Sequence, residues 1–238
     1  MLLSVEDLEM RFGDKVIQSE VSFSVERGMI FAIMGVSGCG KSTLLKHMVG
    51  LLRPARGRIA YDGVDYWASD DATRTRLRAG FGMLFQSAAL WSSMTLLENV
   101  CMPLEQHTQL DAAQRDKRAH EVLGWVDLDE YAHYFPSDLS GGMKKRAGLA
   151  RAIVTEPPLL LLDEPSAGLA PVVVQQVFEL VKRIRAGGLT VLIVEQNVQQ
   201  VLRVVDRAYL LEAGTIRASG SSSEMLADDS IRQAYLGI

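Results

Sequence analysis

The sequence predicts an α/β fold interrupted by an all-helical insert. Three observations carry that prediction. Short apolar runs at strand-like spacing alternate with turns through the first third of the chain. Between about 86 and 155 the apolar spacing changes to three and four residues, the helical period. Strand–helix alternation then resumes after Pro157-Pro158.

Taken in order, residues 5–12, 17–25 and 29–34 read as strands, with Gly13 and Gly28 as punctuation. A helix is expected from 41 to about 52, stopped by Arg53-Pro54. A strand at 58–62 and a short helix over 71–78 lead to the apolar run 81–85. The middle, from about 86 to 155, reads as helical: 96–106 and 112–126 carry the helical spacing, and 140–155 forms a third helix. Beyond Pro158, residues 159–162 and 189–194 are unbroken apolar runs, as in strands covered by helices on both faces. Helices at 172–186 and 198–205 separate and follow them. Strands at 207–212 and 215–218 join at Ala213-Gly214, and a short helical tail ends the chain.

Composition narrows the class. The chain has 238 residues, 48% hydrophobic and 23% charged, which suits one large domain or one domain with an inserted subdomain. A formal net charge of −4 argues against a general nucleic-acid binder, which carries a basic field. No apolar run approaches the roughly 18–20 residues that cross a bilayer. The opening MLLSVEDLEMRFGD is acidic early and lacks an apolar core, so it does not read as a signal peptide. Cys39 and Cys101 are the only cysteines, with no spacing for a disulfide framework or a metal site. These features predict a soluble, cytoplasmic protein whose role at any membrane comes through partners.

Gly35-Val36-Ser37-Gly38-Cys39-Gly40-Lys41-Ser42 fits G-x-x-x-x-G-K-[ST] between an expected strand and an expected helix. Glycines let backbone N–H groups turn inward around phosphate oxygens. The helix N-terminus adds partial positive charge, Lys41 reaches the β- and γ-phosphates, and the Ser42 hydroxyl ligates Mg²⁺. Gly35, Ser37, Gly38, Cys39, Gly40, Lys41, Ser42 and Thr43 are the nucleotide-binding candidates of this loop. Downstream, Leu159-Leu160-Leu161-Leu162-Asp163-Glu164-Pro165 puts two carboxylates where a buried strand emerges, the end at which parallel sheets bind ligands. Asp163 is placed to hold Mg²⁺, directly or through water, and Glu164 to accept a proton from attacking water.

Leu139-Ser140-Gly141-Gly142-Met143 opens a helix bearing Lys144, Lys145, Arg146 and Arg151. A hydroxyl, two glycines and a helix N-terminus make a second anion site, although the same serine read alone is an ordinary helix cap. These residues resemble the LSGGQ signature of ABC ATPases, with Met143 in place of glutamine. That resemblance runs almost the whole chain. It implies a P-loop NTPase (RecA-like) core with an antiparallel β subdomain and an inserted α-helical subdomain. On it, 1–238 is a single domain, with 1–85 and 156–238 forming the nucleotide-binding core and 86–155 the helical signature subdomain.

The resemblance also implies function: ATP hydrolysis with Mg²⁺, by a head-to-tail homodimer or a pair of like domains. Ser140, Gly141 and Gly142 would face the nucleotide held by the partner's phosphate loop. Phe12 sits where the family stacks an aromatic on adenine, with a core phenylalanine as the lesser alternative. Gln86 matches the glutamine that senses Mg²⁺, and a transmembrane permease would dock against residues 87–97. Two positions besides Met143 depart from the family pattern. Gln196 stands in place of the usual histidine, keeping a hydrogen-bond donor for the γ-phosphate but no charge, and Ala170 stands where aspartate is common. Glu164, Lys41 and Gln196 are thus the expected catalytic set, and Ser42, Gln86 and Asp163 the metal set.

Two transporter classes compete. Met83-Leu84-Phe85-Gln86-Ser87-Ala88-Ala89-Leu90-Trp91, the segment 95–100, Pro103-Leu104, 105–110, Met143 and the tail 232–238 resemble the ATPases of Mla and Mce phospholipid transporters. Residues 163–200 resemble those of branched-chain amino-acid importers. The segment around Gln86 faces the permease and should track its identity, so lipid transport at the bacterial inner membrane is the expectation. It brings an Mce-domain protein and a small regulatory subunit as further partners, with this chain peripheral on the cytoplasmic side. A non-transport ABC ATPase is the remaining alternative, and it would carry two cassettes, a coiled coil or a zinc insert.

Overall fold

A computed structural model describes residues 1–236; of the tail 232–238 singled out above, the last two residues lie outside the described residues. The chain opens with β1 (Leu3–Phe12), β2 (Lys15–Val25) and β3 (Ile30–Met34), followed by α1 (Lys41–Met48). Next come β4 (Arg56–Tyr61), β5 (Val64–Asp65), α2 (Asp71–Arg78) and β6 (Phe81–Leu84). Three helices then interrupt the alternation: α3 (Leu96–His107), α4 (Ala112–Trp125) and α5 (Gly141–Ile153). The pattern resumes with β7 (Leu159–Asp163), α6 (Pro171–Ala186), β8 (Thr190–Glu195), α7 (Val198–Val201), β9 (Arg207–Glu212) and β10 (Thr215–Ser221). Short helical turns carry the chain from Ser222 to Leu236.

The strands form two sheets. A four-stranded antiparallel sheet runs β2-β1-β4-β5, and a six-stranded sheet runs β10-β9-β3-β8-β7-β6. In the larger sheet every pairing is parallel except β9 with β10. Its central strands are buried throughout, and the packing shows why they need continuous apolar runs. Ile30, Ala32, Met34, Leu160, Leu162, Val191 and Ile193 pack into a core shared with the three inserted helices and α6. Their alternate neighbours Phe31, Ile33, Leu159, Leu161, Leu192 and Val194 pack into a second core with α1 and the antiparallel sheet. Successive side chains leave opposite faces, and here both faces are covered. Truncating any one of the four buried leucines of β7 to alanine would cost about 2–5 kcal/mol.

Several expectations shift. The first helix ends at Met48, not near 52, because Gly50 takes a left-handed φ of 81°. A Cβ at Gly50 would lie 1.9 Å from the Tyr66 hydroxyl, so the turn there admits only glycine. Residues 87–95 are turns, not helix, and the insert becomes helical only after the Thr95–Glu98 capping box. Ala88 and Ala89 both have positive φ, and Arg151 donates to their two carbonyls at 2.8 Å each. Asn99, fully buried, donates to the carbonyls of Trp91, Met94 and Thr95. Those tertiary bonds satisfy the backbone groups that a helix would otherwise pair. The expected 198–205 helix is likewise only the single turn α7 before the chain enters β9.

Candidate active site

The carboxyl ends of β3, β7 and β8 meet at one place, and the sequence-predicted residues gather there. Residues 35–40 link β3 to α1, with Gly38 and Gly40 at φ of 80° and 95°. Gly35 is closed in from behind: a Cβ there would lie 2.4 Å from the Leu211 carbonyl oxygen. Lys41 begins α1 but folds back, its ammonium donating to the Gly35 and Val36 carbonyls at 2.9 and 3.0 Å. Ser42 Oγ donates to Asp163 Oδ1 at 2.7 Å across the gap between α1 and β7. Thr43, beside it in the first turn of α1, is half-buried.

Glu164 is the centre of the arrangement. Its carboxylate accepts from Gln86 Nε2 at 2.9 Å and from Gln196 Nε2 at 2.7 Å, and lies 3.6 Å from the Lys41 ammonium. The strand order brings these together: β7 lies between β6, which precedes Gln86, and β8, which precedes Gln196. Glu164 holds a positive φ of 45°, a conformation that costs a non-glycine residue about 1–3 kcal/mol. Burial raises the Asp163 carboxyl above its usual range; the Ser42 hydrogen bond opposes that shift and the Glu164 charge adds to it.

Other candidates lie apart from this cluster. Phe12 ends β1 at the tip of the β1–β2 hairpin and is 55% exposed, so it is not a core residue. Ser140 caps α5, accepting from the Met143 N–H, and among the described residues no hydrogen bond joins it to the phosphate loop of its own chain. Gly141 faces Leu169, and Gly142 sits so close to Val173 that an added Cβ would approach its Cγ1 to 2.7 Å. The cations after this motif do not form a surface field. Lys145 donates to the Glu164 carbonyl, Arg146 to the Val126 carbonyl, and Arg151 to Ala88 and Ala89.

The sequence reading missed three buried polar residues here. Glu195, at the end of β8, accepts from the N–H groups of Ser166 at 2.8 Å and Gln196 at 2.9 Å. Lys145 is buried against the back of the Glu164 loop. Gln18 of β2 donates to the Cys39 carbonyl at 2.7 Å from behind the phosphate loop. A glutamate closing an otherwise apolar strand was the one legible signal. The other two stand in polar or alternating stretches where an inward orientation leaves no mark.

The arrangement of a glycine-bearing loop, a lysine, a Ser–Asp pair and an anchored glutamate can bind a polyphosphate and activate water beside it. The chain matches the ABC transporter family over residues 18–167. Among curated proteins it is 38% identical to the intermembrane phospholipid transport system ATP-binding protein MlaF of Haemophilus influenzae, covering 97% of this chain and 88% of that one. The MlaF protein of Escherichia coli K12 is also 38% identical, covering 100% of this chain and 89% of that one. The lipopolysaccharide export ATP-binding protein LptB of Haemophilus influenzae is 34% identical over 99% of this chain and 97% of that one. Among solved structures, the dimeric bacterial ABC transporter cassette MJ0796 superimposes with a TM-score of 0.86 at 28% identity, covering 93% of this chain and 99% of that one. The same cassette in a post-hydrolysis state bound to ADP and Pi gives 0.85 at 28% identity, with the same coverage of 93% and 99%.

Proposed function

The chain belongs to the ABC transporter family and is an ATP-binding, ATP-hydrolysing subunit, and from that premise we propose that it powers phospholipid transport between membranes of the bacterial envelope. The observation that carries the substrate is the full-length likeness to the two MlaF proteins, which extends through the segment that would meet a permease. The structural neighbours speak to the cassette alone.

We assign the residues as follows. The N–H groups of Gly35, Ser37, Gly38, Cys39, Gly40, Ser42 and Thr43 wrap the phosphates, and the exposed Phe12 ring stacks on adenine. Lys41 leaves the Gly35 and Val36 carbonyls for the β- and γ-phosphates, exchanging two neutral acceptors for an anion. Its departure also removes one of the contacts that restrain Glu164. The freed carboxylate takes a proton from the attacking water. Gln196 supplies an uncharged amide donor to the γ-phosphate in place of a histidine. Ser42, Asp163 and Gln86 offer hard oxygen donors, a set that suits Mg²⁺. When bound, that ion would neutralise phosphate charge.

Ser140, Gly141 and Gly142 have no role on their own chain's phosphates. They are assigned to the nucleotide of a second copy in a head-to-tail dimer. We read 86–155 as the helical subdomain and 1–85 with 156–238 as the core. A groove of about 400 Å³ between them, lined by Phe85, Trp91, Met102, Pro103 and Arg151, is the proposed permease site, together with 87–97. No helix among the described residues is long and apolar enough to cross a membrane. Attachment on the cytoplasmic side of the inner membrane therefore falls to that permease, with an Mce-domain protein and a small regulatory subunit as further partners.

Residues 163–200, the stretch that resembles importer ATPases, include loops of the nucleotide site and line none of this groove. Purification of the chain with its permease tests the reading. Co-purified phospholipid and lipid-responsive ATPase activity are expected. Activity stimulated by an amino acid, with no bound lipid, would overturn it.

A further inference from the structure

The Glu164 carboxylate is aimed by a backbone that is itself strained, and two buried charges hold that backbone from opposite sides. The Lys145 ammonium, on α5, donates to the Glu164 carbonyl oxygen at 2.9 Å. In the next peptide group, the Ser166 N–H donates to Glu195 Oε1 at 2.8 Å. The other Glu195 oxygen accepts from the Gln196 N–H at 2.9 Å, and the Glu195 carbonyl accepts from the Gly35 N–H at 3.3 Å. Lys145 is 5% exposed and Glu195 2%, so neither is held there by solvent.

We propose that Lys145 and Glu195 are a positioning pair: they clamp residues 164–166, fix the left-handed turn at Glu164, and so set the aim of the general base. This rests on the assignment of Glu164 as that base. A positive φ on a glutamate persists only where its surroundings over-determine it: the Glu164 N–H donates to the Val194 carbonyl at 3.0 Å, the Glu164 carbonyl accepts from both the Ala167 N–H and Lys145, and Glu195 holds the Ser166 N–H just beyond. A buried cation and a buried anion are each costly alone, and here each meets both a hydrogen-bond partner and opposite charge. Burial pushes the Lys145 ammonium below its usual range, and the charges of Glu195, Asp163 and Glu164 draw it back up. Glu195 also joins three loops of the site, those at Gly35, Ser166 and Gln196. A shift of one is thereby felt by the others. Lys145 adds the inserted helices to that set, because it sits on α5, which Ser140 begins.

The test uses the full-length chain with Mg²⁺ and ATP, comparing Lys145→Met, Glu195→Ala, Lys145→Arg and Glu164→Gln. Misaiming the base should lower kcat roughly ten- to a hundredfold, while the KM for ATP and direct ATP binding stay within about twofold. Lys145→Arg keeps a cation and a donor and should recover most of the loss. Where Lys145→Met or Glu195→Ala does not fold, Glu195→Gln preserves volume, can serve Ser166 but not the Gln196 N–H as well, and should show the same lowered kcat. Unchanged kcat per folded molecule with a lower melting temperature would reduce the pair to structural residues and overturn the proposal. A raised KM with kcat intact would also overturn it. Should Glu164→Gln keep near-normal turnover, the base assignment itself falls; a dead Glu164→Gln beside active clamp variants refutes the clamp alone.

Discussion

The nucleotide site and the face running from Phe81 to His107 are built on opposite plans. In the site, Lys41, Asp163, Glu164, Lys145 and Glu195 are all buried, and every one is answered by another group of the same chain. On the other face an open groove of about 400 Å³ is lined by Trp91, Met102, Pro103 and Gln106, and Trp91 is 56% exposed. Arg151 and Asn99 nonetheless hold the backbone of that face in one shape. The difference fits the two tasks proposed for these regions. Catalytic groups must be fixed before substrate arrives, since reorganisation during reaction raises the barrier. A docking surface keeps its backbone fixed but leaves apolar area for a partner to cover.

Substitutions in the two regions should therefore separate cleanly. The largest effect is expected from Glu164→Gln, which should abolish steady-state ATP turnover by a factor of about a hundred or more while leaving ATP binding intact. Near-normal hydrolysis in that variant would remove Glu164 as the base. Lys41→Ala should act on binding itself, weakening ATP affinity about tenfold or more in a direct titration. Loss of turnover with unchanged affinity would contradict that division of labour.

On the other face, Trp91→Ala should leave the ATPase of the isolated chain unchanged and lower permease-coupled activity several-fold, through loss of an exposed aromatic anchor. An equal fall in the isolated chain would merge the two regions. Gln196→His should change turnover by about twofold at most, unchanged or higher, because either side chain donates to the same acceptor. The smallest effect concerns stability. Ala170 is the N-cap of α6 with no side-chain cap bond, so Ala170→Asp should add about 0.5–2 kcal/mol to unfolding in denaturant. A destabilised variant would mean that the missing aspartate has a cost elsewhere in the loop.

Legibility followed the same divide. The phosphate loop, Asp163 and Glu164 stood out because each motif ties chemistry to a strand end, and the strands announced themselves by continuous apolar runs. The segment 87–95 fell within the stretch read as helical from its apolar spacing and is instead a set of turns. Its shape is imposed by Arg151, about sixty residues away in sequence, and by the buried Asn99. Lys145 was named only as one of several cations on the helix after Met143, and its inward orientation depended on α5 packing over β6 and the Glu164 loop.

By itself, then, the sequence determined the α/β alternation, the helical insert and the residue types that handle phosphate. These are local consequences of periodicity, turn residues and motif spacing. The tertiary structure decided which charges are buried, how Glu164 is held, and that among the described residues Ser140 makes no hydrogen bond to its own phosphate loop. Those outcomes depend on strand order, which sets β7 between β6 and β8 and brings Gln86 and Gln196 onto one carboxylate. No periodicity encodes that meeting, because its partners lie 78 and 32 residues from Glu164 along the chain.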